Sequence, residues 1–240
     1  MKTSKIIFIT LLSSIAIFIL AALLDIRITG VKVGTIKGPD VSLQKQYIPA
    51  FKVLYLSNSM NVIIIHGDTS YIEVASPKGS PYQVNYKITN DTLRLSDVKV
   101  RIKENGYLSL KVSFADSLNC VISDNSRFVI ERMSTSVMTL KMDRSSVRFS
   151  EFQGGVSSFR ALNITAKNNS TINSVEVKVD SLRINLQNSA AYLSMSAKTI
   201  NCTLADGSKL VTRQPGEIYM KRDSTSTITL NNIMPMKSRL

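Results

Sequence analysis

The sequence predicts an all-β protein whose main domain is a parallel β-solenoid, preceded by one N-terminal transmembrane helix. Three observations indicate this fold class. Apolar and polar residues alternate with a period of two over short segments, which is typical of strands with one buried face. A similar pattern recurs every 18 to 24 residues in the C-terminal half of the chain. Tryptophan is absent, and abundant Ser, Thr and Asn suit many short strands joined by polar turns.

The first 24 residues form a segment of their own. Lys2 and Lys5 precede a run of 19 uncharged residues, Ile6 to Leu24. As a helix this run reaches roughly 28 Å, close to the hydrocarbon thickness of about 30 Å. We expect a signal-anchor at 1–24, which makes the chain a single-pass inner-membrane protein with its C-terminal domain in the periplasm. The alternative is export after cleavage of a signal peptide, although bulky leucines follow the only small pair, Ala21-Ala22.

The remainder divides into three further segments. Residues 25–50 hold scattered Gly and Pro and are predicted to be a stalk or linker, or a short edge strand. Residues 51–232 are predicted to form the β-solenoid domain, and 233–240 a C-terminal tail.

The first part of the domain has strand composition without a clear repeat. Two short strands are predicted between Phe51 and His66, followed by strands at Tyr71–Ala75, Tyr82–Ile88 and Thr92–Leu95. Asn90-Asp91 and Asn105-Gly106 are typical of tight turns, because Asn, Asp and Gly tolerate a positive φ.

An internal repeat begins at Leu118. Each unit has apolar residues at its first and third positions, as at Leu162 and Ile164, and a small residue at its ninth position. The six units span 118–130, 138–150, 162–174, 182–194, 200–212 and 218–230. The ninth residues are Ser126, Ser146, Ser170, Ala190, Ser208 and Ser226. A period near 20 is too short for a helical solenoid and predicts stacked β-coils that share one core.

The formal charge of +13 favours anionic partners. Candidates are an anionic glycan, a lipid headgroup or an envelope protein that contacts the basic surface of the solenoid, beside the membrane that holds Ile6 to Leu24. Nucleic acid is not expected, because the basic residues are not interleaved with aromatic ones on one surface. The oligomeric state is left open.

Candidate chemistry is sparse. His66 is the only histidine, which excludes zinc motifs with two histidines. Cys120 and Cys202 are predicted to be small core residues, and whether they form a disulfide is left open. We therefore assign no catalytic, cofactor-binding or metal-binding residue and expect a non-enzymatic protein without cofactors.

One enzymatic alternative stays open, a polysaccharide lyase or hydrolase on a β-helix. Acidic residues recur near the predicted corners of the coils, at Asp124, Asp143, Asp206 and Asp223. Paired carboxylates about 5–10 Å apart can share acid and base roles, and adjacent coils lie roughly 4.8 Å apart. The same residues also suit corner turns, which is the interpretation we favour.

Two segments resemble a known family. The stretch AFKVLYLSNSMNVIIIHGDTSYIEVASP, at 50–77, and the stretch YKITNDTLRLS, at 86–96, followed by serial strand repeats, are similar to the head-GIN putative auto-transporter adhesin family of Bacteroidetes. The resemblance covers roughly 49–230. It implies a right-handed parallel β-helix-like domain in the cell envelope and an adhesin role, and it supplies no catalytic residues. The chain departs from lipoprotein members because it lacks a lipobox cysteine.

Overall fold

The computed structural model describes residues 41–77, 82–100, 109–150 and 156–231. Every regular element among them is a β-strand, so the predicted all-β class is confirmed for this part of the chain. Within these ranges no helix has the length and apolar character needed to cross a bilayer. The predicted anchor at 1–24, most of the predicted stalk, the turn at Asn105-Gly106 and the tail at 233–240 lie outside the described residues.

Within the described ranges, seventeen strands form one continuous hydrogen-bonded system. The strands that precede the repeats are β1 (Val41–Tyr47), β2 (Val53–Leu56), β3 (Asn61–His66), β4 (Tyr71–Pro77), β5 (Tyr82–Thr89), β6 (Thr92–Val100) and β7 (Ser109–Phe114). The strands of the repeats are β8 (Cys120–Asp124), β9 (Arg127–Glu131), β10 (Ser134–Asp143), β11 (Ser146–Ser150), β12 (Ser158–Lys167), β13 (Thr171–Gln187), β14 (Ala190–Ala205), β15 (Lys209–Arg213), β16 (Glu217–Arg222) and β17 (Thr227–Asn231).

The repeats coil into a parallel β-solenoid with two main faces. The first face stacks β6, β2, β8, β10, β12, the C-terminal halves of β13 and β14, and β16. The second face stacks β7, β3, β9, β11, the N-terminal halves of β13 and β14, and then β15 and β17. From β8 to β16 the first face advances through five successive parallel pairings, so the predicted β-solenoid is confirmed and makes about five turns.

The core is a set of columns in which like residues stack from coil to coil. Met138, Leu162, Leu182 and Ile200 are register partners in adjacent coils, and each is fully buried. The predicted apolar first and third positions therefore point inward from the second to the fifth unit. A single coil could not bury these side chains, because the atoms that cover them belong to the coils above and below.

The first unit has a different register from the one predicted. Val121, and not Cys120, pairs with Leu140 and is fully buried, whereas Cys120 pairs with Thr139 and is half-exposed. Because strand side chains alternate between faces, a shift of one residue turns Cys120 outward. Both Cys120 and Cys202 are free thiols. Cys202 is the small core residue predicted for it, and Cys120 is not.

The N-terminal strands do not stack in chain order. The layer formed by β2 and β3 lies between the layer formed by β6 and β7 and the layer formed by β8 and β9. The layer formed by β6 and β7 is the last parallel layer at this end. Beyond it the pairing becomes antiparallel, with β4 and β1 extending the second face and β5 extending the first. β1 falls in the segment expected to be a stalk or a short edge strand, and among the described residues it pairs only with β4. β4 and β5 were predicted as strands, whereas their antiparallel pairing was not predicted.

The β5–β6 hairpin turns at the predicted position. Asn90 and Asp91 both adopt a positive φ, of 49° and 56°. Two consecutive residues in this conformation produce a turn whose twist matches that of the flanking strands.

Candidate functional site

One corner of the solenoid is built by a ladder of buried serines. Ser126, Ser145, Ser170, Ser189, Ser208 and Ser226 occupy successive coils and are at most 7% exposed. The backbone N–H of each of the first five donates to the hydroxyl of the serine in the next coil, over 3.1–3.3 Å. The hydroxyl of each of the first five serines, Ser126 to Ser208, donates to a carbonyl two or three residues earlier in its own coil. The ladder therefore satisfies polar backbone groups that the turn would leave buried without a partner.

The ladder corrects the predicted ninth positions in two units. Ser145 and Ser189, and not Ser146 and Ala190, are the ladder residues. The difference arises because each of the first five serines follows one or two residues of positive φ, and the number varies between coils. Asn188 alone precedes Ser189, whereas Asn168 and Asn169 both precede Ser170. A fixed count along the repeat cannot track a corner of variable length.

The corner aspartates lie just outside this ladder and bind neighbouring coils. Arg144 donates to Asp124 at 2.9 Å and lies 3.6 Å from Asp143, so one guanidinium neutralises the carboxylates of two adjacent coils. Asn168 also donates to Asp143, and Gln187 donates to Asp206.

Asp223 is bound most extensively. Its carboxylate accepts hydrogen bonds from Ser226 and Thr225 and from the backbone N–H of Asp206, and these bonds hold its pKa well below the usual range. The structure thus brings the four aspartates to one corner as predicted. Each of them makes at least one contact with a neighbouring coil, so the acidic column has a structural role at this corner.

His66 lies at the exposed end of β3, with its ring centroid 5.2 Å from that of Phe114. Among the residues that the structure describes, no group of three or more His, Cys, Asp and Glu side chains could hold a metal ion. Burial raises the pKa of both thiols, and Lys141 partly opposes this increase at Cys120. Raised pKa values lower the thiolate fraction, which does not suit a nucleophile.

The first face presents a flat polar surface to solvent, which we call the polar face. It consists of two outward rows of register partners across eight layers. One row is Thr92, Val53, Cys120, Thr139, Asn163, Arg183, Asn201 and Tyr219, and the other is Arg94, Tyr55, Ile122, Lys141, Thr165, Asn185, Thr203 and Lys221. The rows contain four cationic residues and no carboxylate. Carboxylates flank these rows at Asp124 and Asp143, which bind Arg144, and at Glu217, which accepts a hydrogen bond from Tyr219.

A groove borders the polar face where the coils bend between the two main faces. Two adjoining depressions, of about 770 and 660 Å³, share Ser134, Thr135 and Ser136. The first reaches Cys120 and Lys141 on the polar face. The second crosses four coils and is lined by Ser158, Phe159, Arg160, Lys178, Val179, Asp180, Ala197 and Lys198. We call this second depression the bend groove.

Hydroxyl and charged groups dominate the rim of the bend groove, and buried apolar residues form its floor. Phe159, Val179 and Ala197 are at most 9% exposed. Lys198 binds Asp180 at 2.8 Å, whereas Arg160 and Lys178 pair with no carboxylate among the described residues. Sequence reasoning missed this groove, because it depends on a bend at which each coil contributes only a few residues.

Comparisons with known proteins identify the fold and not the family. No family profile matches the sequence, and no curated protein matches it. A crystal structure of a putative adhesin from Bacteroides fragilis is similar, with a TM-score of 0.52 at 10% identity, covering 78% of this chain and 95% of that one. A putative lipid binding protein from Parabacteroides distasonis is similar with a TM-score of 0.51 at 12% identity, covering 80% and 93%. At such identities the likeness shows that the chain shares its fold with these two proteins.

Proposed function

We propose that this chain is a non-enzymatic, membrane-anchored envelope protein that binds anionic ligands on the basic surface of its solenoid, as an adhesin or a binding scaffold. The polar face is the observation that carries the proposal. Its four cations, spread over eight layers without an intervening carboxylate, create a positive field that attracts anions. The surrounding threonines and asparagines both donate and accept hydrogen bonds, which suits a ligand rich in hydroxyl or acidic groups.

The rigidity of the scaffold supports a binding role. From β8 to β14, each strand of the polar face pairs with a strand on both sides, and the serine ladder fixes the adjacent corner. A preorganised surface loses little conformational entropy when a ligand binds. Many weak contacts distributed over such a surface give an affinity that no single outward residue controls.

The similar structures support this proposal at the level of the fold. One is described as a putative adhesin and another as a putative lipid binding protein, and both names denote binding rather than catalysis. The head-GIN resemblance and right-handed coiling belong to the same proposal. Right-handed crossovers are the rule between parallel strands of one sheet, in about 98% of cases.

Binding is tested by titrating the full-length chain, kept in a mild detergent, with acidic and neutral polysaccharides at increasing salt. We expect the acidic polymers to bind with an affinity that falls as salt rises, because screening weakens contacts between exposed charges. Binding that is equal for neutral and acidic polymers and insensitive to salt would contradict the role of the basic surface. Cleavage of any of these polymers would show that the protein is an enzyme.

Location is tested by protease treatment of whole cells and then of spheroplasts. The proposed single-pass inner-membrane anchor at 1–24 predicts digestion of the C-terminal domain only after the outer barrier is opened. Digestion in whole cells would place the solenoid on the cell surface, as export after signal cleavage allows. Protection in both preparations would reverse the proposed orientation.

A further inference from the structure

The bend groove, unlike the flat polar face, is a depression elongated along the solenoid axis. Its lining comes from four consecutive coils of the repeat, at β10, β12, β13 and β14. Adjacent strands lie about 4.8 Å apart, so the groove extends about 14 Å along the solenoid axis. A ligand that fills it must be elongated and must lie parallel to the axis, where it meets one coil after another.

The two rims of the groove carry different residues. Side chains alternate along a strand, so residues on either side of the buried Val179 point outward along opposite rims. One rim holds Ser134, Ser158 and Lys178, which are register partners. The other holds Ser136, Arg160, Asp180 and Lys198, aligned by the pairings on each side of them.

The cations alternate between these rims from coil to coil. Arg160, in the coil of β12, and Lys198, in the coil of β14, lie on the same rim. Lys178, in the coil of β13 between them, lies on the opposite rim. Successive positive charges are therefore one coil apart along the axis and on opposite sides of the groove. Asp180 occupies the rim between Arg160 and Lys198 and neutralises Lys198 at 2.8 Å.

We propose that the bend groove binds a linear acidic polysaccharide along the solenoid axis, with about one sugar per coil and with acidic groups that alternate from side to side. This inference rests on the proposed function and assigns it a ligand class and a site. The rise of one linked pyranose is close to the spacing of the coils, so each sugar meets equivalent positions. Alternating carboxylates reach Arg160, Lys178 and Lys198 in turn, and the rim serines bind ring hydroxyls.

Asp180 lowers the affinity of the groove for an acidic ligand. Its carboxylate occupies Lys198 and repels an acidic ligand, so the free groove is held below its full affinity. The ligand must displace this contact to use the third cation. Removal of the carboxylate should therefore strengthen binding, an effect opposite to that of damage to the fold.

The test measures binding of polymannuronate and its oligomers to the full-length chain at low salt. We expect Arg160→Ser combined with Lys178→Ser to weaken binding about tenfold, because two charge-assisted contacts are lost. The matched control, Arg127→Ser combined with Arg148→Ser, removes two exposed cations from the second face and should change affinity by less than about twofold. Asp180→Asn should tighten binding about threefold or more, because Lys198 becomes free.

Oligomer length provides an independent readout. Affinity should rise up to about three or four sugars, the length of the groove, and then level off. Equal weakening by the groove pair and the control pair, or no gain with Asp180→Asn, would overturn the groove assignment while leaving anion binding in place. Failure of the unmodified chain to bind any acidic polymer would instead overturn the proposed function itself.

Discussion

The serine ladder makes a specific prediction about stability at Ser170. In the folded chain the hydroxyl of Ser170 accepts the N–H of Ser145 at 3.1 Å and donates to the carbonyl of Lys167 at 2.6 Å. Ser170→Ala removes both bonds. The Lys167 carbonyl still accepts the N–H of Arg144, but the N–H of Ser145 is left without a partner in a residue that is only 3% exposed. One buried unsatisfied donor costs about 1–3 kcal/mol, so we expect unfolding to become easier by about 2 kcal/mol.

Urea unfolding of the full-length chain, followed by circular dichroism, measures this change. Ser181→Ala is the matched control, because Ser181 lies in β13 with an exposed side chain, and it should change stability by less than about 0.5 kcal/mol. An unchanged m-value in both variants would show that the same surface unfolds. A cost for Ser170→Ala no larger than that for the control would refute the structural importance of the ladder.

Three further predictions concern the corner, the thiols and the last coil. Asn188 adopts a φ of 46°, so Asn188→Val should lower the free energy of unfolding in urea by about 1–2 kcal/mol, whereas Asn188→Gly should leave it nearly unchanged. Equal losses of stability in the two variants would contradict a conformational cause. A thiol reagent at pH 8 should label half-buried Cys120 before buried Cys202. Urea should accelerate labelling of both thiols, because burial raises both pKa values in the folded chain. Prompt labelling of Cys202 in the folded chain would contradict its place in the core. The lowered pKa of Asp223 means that its contribution to stability is present above about pH 4, the ordinary pKa, and is lost as pH falls toward the folded value. Amide exchange at Ser226 should therefore lose protection on acidification, and Asp223→Asn should remove that pH dependence; if the variant keeps the same pH dependence, another group is responsible.

The sequence predicted the parts of the fold that depend on local periodicity. Alternation with a period of two placed Leu162, Leu182 and Ile200 in the core, and a spacing near 20 residues placed them in adjacent coils. The register errors arose where the chain turns. Cys120 and Val121 are both apolar, and only the pairing of Val121 with Leu140 decides which of them points inward.

The unpredicted parts depend on contacts between distant segments. The antiparallel pairing of β1, β4 and β5 and the position of β2 between β6 and β8 leave no repeat in the sequence. The bend groove was also missed, because alignment by apolar positions ignores the outward residues. Lys178 and Arg160 belong to different strands, and their alternation across the groove appears only when the register of β12 and β13 is known.

The position of the β2 and β3 layer between two later layers has a consequence for the order of folding. A hydrogen bond within the repeats, such as that between Ser126 and Ser145, joins residues 19 apart, whereas the bond from Met60 to Ser126 spans 66 residues. Closing longer loops costs more entropy and slows folding. The C-terminal coils can therefore assemble on each other soon after they emerge, while β2 and β3 must wait for the strands on either side of them. During synthesis from the N-terminus, β2 and β3 appear early and are among the last strands to complete their pairing, so chaperone protection matters most for that segment.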